Sequence, residues 1–290
     1  MSNTFLYIVT VLIWGSTWLA IEYQLGVVEP EVSIVYRYLA ASGVLLMWCK
    51  IKGLSLSFKV KDHIYFIFLG LLLFSLNYIL AYRAQIYVTS ALAAIAFSMM
   101  LWMNIVLSRV VFGTRATRQV LLGAALGIIG IVILFAPQVT AISLSDGVFF
   151  GSLLALGGAL TASCGNMVSQ SAQKRSLPVV ETNTWSMFYG ALLTGIVALA
   201  SGHEFNFDAT FTYIASLLYL AIFGSVVAFG AYLTLLGRIG AHKAGYATVM
   251  FPVVALVLSI AFEGLHLDLA IIIGATLVLL GNSLVLKKDS

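Results

Sequence analysis

Apolar residues fill this chain in long continuous runs separated by short polar connections. Each run covers about 20 residues, the length that an α-helix needs to cross about 30 Å of hydrocarbon. A transmembrane β-barrel would show polar and apolar residues alternating over about 10 residues, and that pattern does not occur here. The runs predict ten membrane-spanning helices, at about 4–21, 32–49, 63–82, 89–111, 118–137, 147–168, 180–200, 211–232, 244–262 and 269–286.

Composition supports an all-α membrane protein. Of the 290 residues, 61% are hydrophobic and only 9% are charged, whereas about a quarter of a soluble domain is charged. Ten spans of about 20 residues leave only short connections, with no room for a separate soluble domain. We therefore expect the function to lie inside the helix bundle.

The positive charges are distributed by loop, which indicates orientation in a membrane and not binding to nucleic acid. With the amino terminus in the cytoplasm, 13 of the 15 Lys and Arg residues fall on the inner side, and Arg83 lies on the outer side. The remaining one, Arg37, falls within the second span. This bias predicts a multi-pass protein of the cytoplasmic (inner) membrane with both termini in the cytoplasm. The acidic residues expected outside are Glu22, Glu29, Glu31, Asp146, Glu204, Asp208, Glu263 and Asp268.

The two halves of the chain resemble each other. At an offset of 151, residues 93–130 align with 244–281 without a gap, and 11 of the 38 pairs are identical. This predicts two five-helix repeats, 1–143 and 144–290. Since five is odd, the second repeat begins on the opposite side of the membrane, so the repeats are inverted. Inverted repeats are typical of secondary transporters, whose substrates bind at mid-depth between the repeats. A scaffold or a membrane-embedded enzyme remains the alternative at this point.

Several motifs resemble the EamA family of the drug/metabolite transporter superfamily. They are Trp14-Gly15-Ser16-Thr17, Tyr36-Arg37-Tyr38-Leu39-Ala40-Ala41, Thr89-Ser90-Ala91-Leu92-Ala93-Ala94 and Phe112-Gly113-Thr114-Arg115, followed by Gly123. The resemblance implies a ten-helix exporter or importer of small metabolites, often amino acids, with a central cavity. The chain departs from the family in having Thr114 where Glu is frequent, and Leu101 where a proline is usual.

Arg37 is the formal charge placed furthest inside a predicted span, and intramembrane charges usually face a cavity or a partner. A guanidinium forms a bidentate pair with a carboxylate, so Arg37 is a candidate to bind a substrate carboxylate. Two alternatives stay open: it extends to the membrane surface, or it pairs with Glu22, Glu29 or Glu31.

Aromatic, hydroxyl and amide side chains inside the spans suit a largely apolar pocket with a few polar groups. The alternative is that Trp and Tyr form interfacial belts while Ser, Thr and Asn bridge helices; we prefer it for Trp18, Tyr82 and Trp185. Besides Arg37, the predicted cavity residues are Trp14, Ser16, Asn77, Tyr78, Ser98, Trp102, Tyr189, Tyr232 and Tyr246.

No Asp or Glu lies near the middle of a predicted span, which argues against proton coupling and favours facilitated diffusion or exchange. Glu22 and Glu263, at outer helix ends, are the candidates for a coupling role. Pro252 removes a backbone hydrogen bond within the ninth span and is a candidate hinge. Glycines in the fifth and tenth spans predict close helix packing, either between the halves or between two protomers.

These patterns predict a secondary transporter that moves a small organic metabolite, an amino acid or a related compound, by alternating access, with export as the expected direction. We expect a monomer or homodimer in a lipid bilayer, with no cofactor and no metal, since the four histidines are split between the two membrane surfaces. The alternative function is a membrane-embedded enzyme acting on a lipid or isoprenoid head group.

Overall fold

The computed structural model describes residues 1–141, 146–262 and 269–286, which form ten helices and no strand. The prediction of an all-α protein with ten helices is confirmed. The uninterrupted helices are α1 (Asn3–Glu22), α2 (Pro30–Lys52), α5 (Arg118–Ala141), α6 (Asp146–Lys174), α7 (Val179–Ala200) and α10 (Leu269–Leu286). The composite helices are α3 (Val60–Leu69, Gly70–Leu76, Asn77–Gln85), α4 (Ser90–Ser98, Met100–Phe112), α8 (Phe211–Tyr219, Leu220–Val227, Ala228–Ile239) and α9 (Ala241–Ala244, Tyr246–Phe262).

Local sequence signals set several helix ends. The hydroxyls of Ser2, Thr89 and Thr210 accept hydrogen bonds from backbone N–H groups three residues ahead, which satisfies donors that a helix start leaves unpaired. Helices α2 and α4 end at Gly53 and Gly113, with φ of 64° and 69°. Glycine adopts this left-handed conformation without a steric penalty and so terminates a helix readily.

The outer faces of the helices are apolar. Val110, Ile196 and Phe211 are 73%, 62% and 86% exposed in the isolated chain, and such side chains need lipid around them. Six of the described helices are long and apolar enough to cross a membrane by length and composition alone: Asn3–Glu22, Pro30–Lys52, Val60–Gln85, Leu92–Phe112, Gly147–Lys174 and Phe211–Ile239.

The third helix of each half contains a π-helical segment. It covers Gly70–Leu76 in α3 and Leu220–Val227 in α8, and the offset of 151 maps the first segment onto residues 221–227. In a π-helical segment the backbone hydrogen bonds join residues five apart instead of four, and such segments frequently lie at functional sites. The repeat therefore extends to an irregular feature that hydrophobic periodicity does not reveal.

Helices α5 and α10 pack closely through glycines. A Cβ atom on Gly123 would lie 2.6 Å from the carbonyl oxygen of Gly281, and one on Gly130 would lie 2.6 Å from that of Gly274. In the repeat, Gly123 corresponds to Gly274 and Gly130 to Gly281. Exchanging the two halves therefore converts the Gly123–Gly281 contact into the Gly130–Gly274 contact. Contacts related in this way are those of a two-fold axis. The predicted close packing occurs between the two halves of one chain.

The remaining packing follows the same symmetry. Helix α2 packs on α7, α1 packs on α8 and α9, and α6 packs on α3 and α4. Exchanging the halves converts the contacts of α1 with α8 and α9 into those of α6 with α3 and α4. Six helices, α1, α3, α4, α6, α8 and α9, consequently surround the middle of the bundle, with α2–α7 and α5–α10 beside them.

Candidate substrate cavity

A cavity of about 60 Å³ lies between the two halves. Its lining comes from all six central helices. Along α1 and α3 it extends from mid-helix towards the ends at Glu22 and Gln85, which the sequence predicts to be outer. The lining residues are Trp14, Thr17, Trp18, Ile21, Leu73, Asn77, Tyr78, Ala81, Phe97, Met100, Ala162, Asn166, Phe229, Tyr232 and Phe251.

Aromatic rings form most of the cavity wall. The Trp14 ring lies 4.7 Å from that of Phe229 and 4.9 Å from that of Tyr232, measured between centroids. Trp18 packs edge-on against Phe97 at 5.0 Å. These separations fall in the favourable range for aromatic pairs. The indole Nε1 of Trp14 donates to the carbonyl oxygen of Gly224 at 3.0 Å, which fixes the ring orientation.

A buried polar network joins the halves beside the cavity. The amide of Asn166 donates to the Tyr232 hydroxyl at 3.0 Å and to Asn104 Oδ1 at 3.2 Å, and the latter also accepts from Ser163 at 2.6 Å. The Oδ1 atoms of Asn77 and Asn166 are buried, and no described residue donates a hydrogen bond to them. Since both residues line the cavity, a bound solute can supply the donors that these acceptors lack.

Arg37 is completely buried in α2. Its Nε donates to Ser225 Oγ at 2.9 Å, and its two terminal nitrogens donate to the hydroxyls of Tyr78 at 3.4 Å and Tyr82 at 3.5 Å. Its guanidinium carbon also lies 4.5 Å from the centroid of the Tyr78 ring. All these partners are uncharged. Arg37 does not extend to the membrane surface, so the first of the two alternatives is wrong.

Two of the acidic residues expected outside, Glu29 and Glu31, pair with Arg83. The guanidinium donates to both carboxylate oxygens of the buried Glu31, at 2.9 and 2.8 Å, and lies 3.7 Å from Glu29. His203, from the second half, lies within 4 Å of both carboxylates. Ligand atoms of Glu29, Glu31 and His203 approach each other within 4.8 Å, but Arg83 already occupies the Glu31 carboxylate. Among the described residues, no acidic side chain forms an ion pair with Arg37.

The structure brings four predicted cavity residues together in the lining, Trp14, Asn77, Tyr78 and Tyr232, with Arg37 directly behind Tyr78. The other five lie elsewhere. Ser16 bonds to Tyr219 at 2.6 Å, and Tyr189 bonds to His63 at 2.8 Å in an aromatic cluster with Trp185.

The remaining three are also outside the lining. Ser98 bonds to the backbone of its own helix, Trp102 packs as a partly buried side chain on the core, and the Tyr246 hydroxyl donates to backbone oxygens of Val278 and Gly123.

The coupling and hinge candidates have different locations. Glu22 is exposed at the end of α1, while Glu263 falls outside the described residues. Pro252 is buried in α9, and the helix Tyr246–Phe262 continues through it. Its neighbour Phe251 lines the cavity. On the first half, the interruption in α4 occurs at Met99, without any proline.

Sequence reasoning missed Trp18, which it favoured as an interfacial residue. Trp14, Thr17, Trp18 and Ile21 occur at i, i+3, i+4 and i+7, the spacing of one helix face. Because Trp14 was already a cavity candidate, this spacing could have indicated that Trp18 faces the same cavity. Phe251 and Asn166 reach the cavity through tertiary packing that periodicity along one helix does not predict.

Comparison with known proteins identifies the family. The EamA-like transporter family matches residues 1–136 and 149–287, so nearly the whole chain is covered by two copies of the family domain. The chain belongs to the EamA-like transporter family. The resemblance predicted from the motifs, and the two inverted five-helix repeats, are confirmed. The domain boundary predicted at 143–144 lies outside the described residues and stays a prediction.

Individual EamA relatives are similar over most of their length. "Uncharacterized transporter YoaV" of Bacillus subtilis is 24% identical over 272 residues, which cover 93% of this chain and 91% of YoaV. "Uncharacterized inner membrane transporter YedA" of Escherichia coli is 26% identical over 255 residues, covering 87% and 80%. A "Probable amino-acid metabolite efflux pump" of Salmonella typhimurium is 26% identical over 199 residues, covering 66% of each chain.

A solved crystal structure has the same fold. It superposes with a TM-score of 0.79 at 17% identity and covers 98% of this chain and 97% of its own. At this identity the likeness concerns the fold alone. Together with the family match, these relatives make the protein a multi-pass membrane transporter of a small molecule and not an enzyme, so the enzyme alternative is wrong.

Proposed function

We propose that this EamA-family transporter exports a small amphiphilic metabolite, an amino acid or a related compound, from the cytoplasm by alternating access. The observation that carries the proposal is the cavity between the inverted halves, lined by all six central helices. Secondary transporters with inverted repeats bind substrate in this position. Rocking of one half against the other would transfer access to this cavity from one end of the bundle to the other.

The cavity lining supports the substrate class. Aromatic and aliphatic side chains suit an apolar substituent, while the unpartnered Oδ1 atoms of Asn77 and Asn166 suit an amino group. Aromatic faces also attract an ammonium cation. The name of the Salmonella relative, an amino-acid metabolite efflux pump, agrees with this chemistry and with export as the direction.

Among the residues that the structure describes, no Asp, Glu, His, Lys or Arg side chain lines the cavity. Proton-driven transporters commonly place a titratable group on the substrate pathway. We therefore propose facilitated diffusion or exchange, with neither Glu22 nor Glu263 needed for energy coupling. We further propose that the protein resides in the inner membrane with both termini in the cytoplasm.

Flux into proteoliposomes tests this proposal. We expect radiolabelled leucine or phenylalanine to equilibrate across vesicles that contain the protein, at the same final level with and without an imposed pH gradient. Empty vesicles and vesicles with heat-denatured protein are the controls. Uptake that requires the pH gradient and disappears in Glu22→Gln or Glu263→Gln would overturn the uncoupled mechanism, and no uptake of any amino acid or related metabolite would overturn the substrate class.

A further inference from the structure

Arg37 is a buried cation whose described hydrogen-bond acceptors are all hydroxyl groups. Ser225, Tyr78 and Tyr82 surround its guanidinium, and two of the three hydrogen bonds are as long as 3.4 and 3.5 Å. Burying a charge is costly unless it is paired and hydrogen-bonded. No described Asp or Glu side chain supplies that pairing. The electrostatic environment therefore favours an anion beside Arg37.

Only one layer of side chains separates Arg37 from the cavity. Tyr78 lines the cavity and also contacts the guanidinium through its hydroxyl and its ring. Beside it, Arg37 and Thr17 both pack closely on Gly224: a Cβ atom at this position would lie 3.2 Å from Arg37 Nη2 and 3.1 Å from Thr17 Cγ2, and Thr17 lines the cavity. Displacement of the Tyr78 ring would expose the guanidinium to a solute in the cavity.

We infer that Arg37 is the carboxylate-binding residue of the cavity, shielded by Tyr78 when no substrate is bound. The transporter then selects carboxylate-bearing amphiphiles and rejects their amides and cationic amphiphiles of similar size. This inference rests on the proposed transport function. A carboxylate replaces the long bonds to neutral hydroxyls with a bidentate pair of short bonds between two opposite charges.

The same geometry explains the rejection of an amide. The neutral amide cannot neutralise the guanidinium, and its N–H₂ group would meet another donor, so a buried polar site stays unpaired. From the usual strength of hydrogen bonds to charged groups, we expect acids to bind roughly 10 to 100 times more tightly than matched amides.

Ligand-induced stabilisation of the purified, full-length protein tests the inference, because a ligand of the folded state raises the melting temperature. The probes are three matched pairs: 3-phenylpropionate and 3-phenylpropanamide, L-phenylalanine and L-phenylalaninamide, and L-leucine and L-leucinamide. We expect the acid of a pair to stabilise wild type at a roughly 10- to 100-fold lower concentration than the amide. Arg37→Gln should abolish this preference, while Arg37→Lys should keep part of it.

Tyr78→Phe provides a second variant that retains the ring in case Arg37→Gln does not fold. Removal of the hydroxyl frees one guanidinium nitrogen, so acids should bind several-fold more tightly relative to amides. Tyr36→Phe removes a hydroxyl one residue from Arg37 but at the bundle end, where it bonds to Asn206, and should leave the preference unchanged.

Equal binding of acids and amides, an acid preference that persists in Arg37→Gln, or no stabilisation by any carboxylate would each overturn the inference. The proposed transport function is judged separately by vesicle flux. Flux of amides or amines at the same rate as the acids would contradict the anion site at Arg37, while the proposed transport function would stand.

Discussion

At the residue scale, the cavity depends on side chains that recur along one face of α1. Trp14 and Trp18 lie one helical turn apart, and each contacts aromatic residues of other helices. Trp14 meets Phe229 of the second half, while Trp18 meets Phe97 of the first. The two indoles therefore connect α1 to both sides of the cavity, and we expect both to contribute to substrate affinity.

Substitution of Trp18 tests this contribution. Trp18→Leu keeps an apolar side chain but removes the ring that contacts Phe97, and we expect affinity for the transported solute to fall roughly tenfold, the upper range for one aromatic contact. The measurement is the concentration dependence of vesicle flux. The matched control is Trp48→Leu, since Trp48 is half-exposed on the outer face of α2. An unchanged affinity in Trp18→Leu would remove this residue from the binding site.

The limits of prediction from sequence are clearest for individual residues. Trp14, Asn77, Tyr78 and Tyr232 could be selected because small-molecule sites commonly combine aromatic side chains with a few polar groups. Ser98 and Tyr246 have the same composition signal, but the first bonds to its own helix and the second to backbone oxygens near α5 and α10. The direction of a side chain around its helix axis depends on packing, which residue type alone does not specify.

At the element scale, the glycines of α5 and α10 set the distance between the halves. The sequence predicted close packing from their spacing but left open whether the partner was the same chain, because a glycine stripe does not identify the opposing surface. The π-helical segments of α3 and α8 were not predicted, since they change the helix geometry without changing its apolar composition.

The close contact of Gly123 predicts a strong size effect. In Gly123→Val the new side chain would meet the backbone oxygen of Gly281 and the side chain of Val285, and we expect destabilisation of about 1–3 kcal/mol through overpacking. The measurement is the melting temperature in detergent. Gly43→Val is the control, because a Cβ at exposed Gly43 meets nothing within 4 Å. Equal melting temperatures for the two variants would contradict the α5–α10 contact.

At the scale of the whole molecule, the duplication was the most informative feature of the sequence. Apolar runs gave the number of helices, and an odd number per repeat required inversion. The structure adds that contacts between helices are exchanged by the same symmetry, as Gly123–Gly281 and Gly130–Gly274 demonstrate. Absolute orientation in the membrane does not follow from this symmetry, because an inverted repeat looks alike from both sides. It depends on the charges in the loops.

The charge distribution predicts which loops face the cytoplasm. With 13 of 15 basic residues on one side, the positive-inside rule places the α2–α3 connection inside and the α7–α8 connection outside. In a background of Cys49→Ala and Cys164→Ala, we expect Glu204→Cys to react with a membrane-impermeant maleimide on intact cells. Ser55→Cys should react only after permeabilisation.

Both positions are exposed in the structure, so a difference in labelling reports sidedness and not burial. The opposite labelling pattern would reverse the topology, and the cavity that extends towards the ends of α1 and α3 would then open to the cytoplasm.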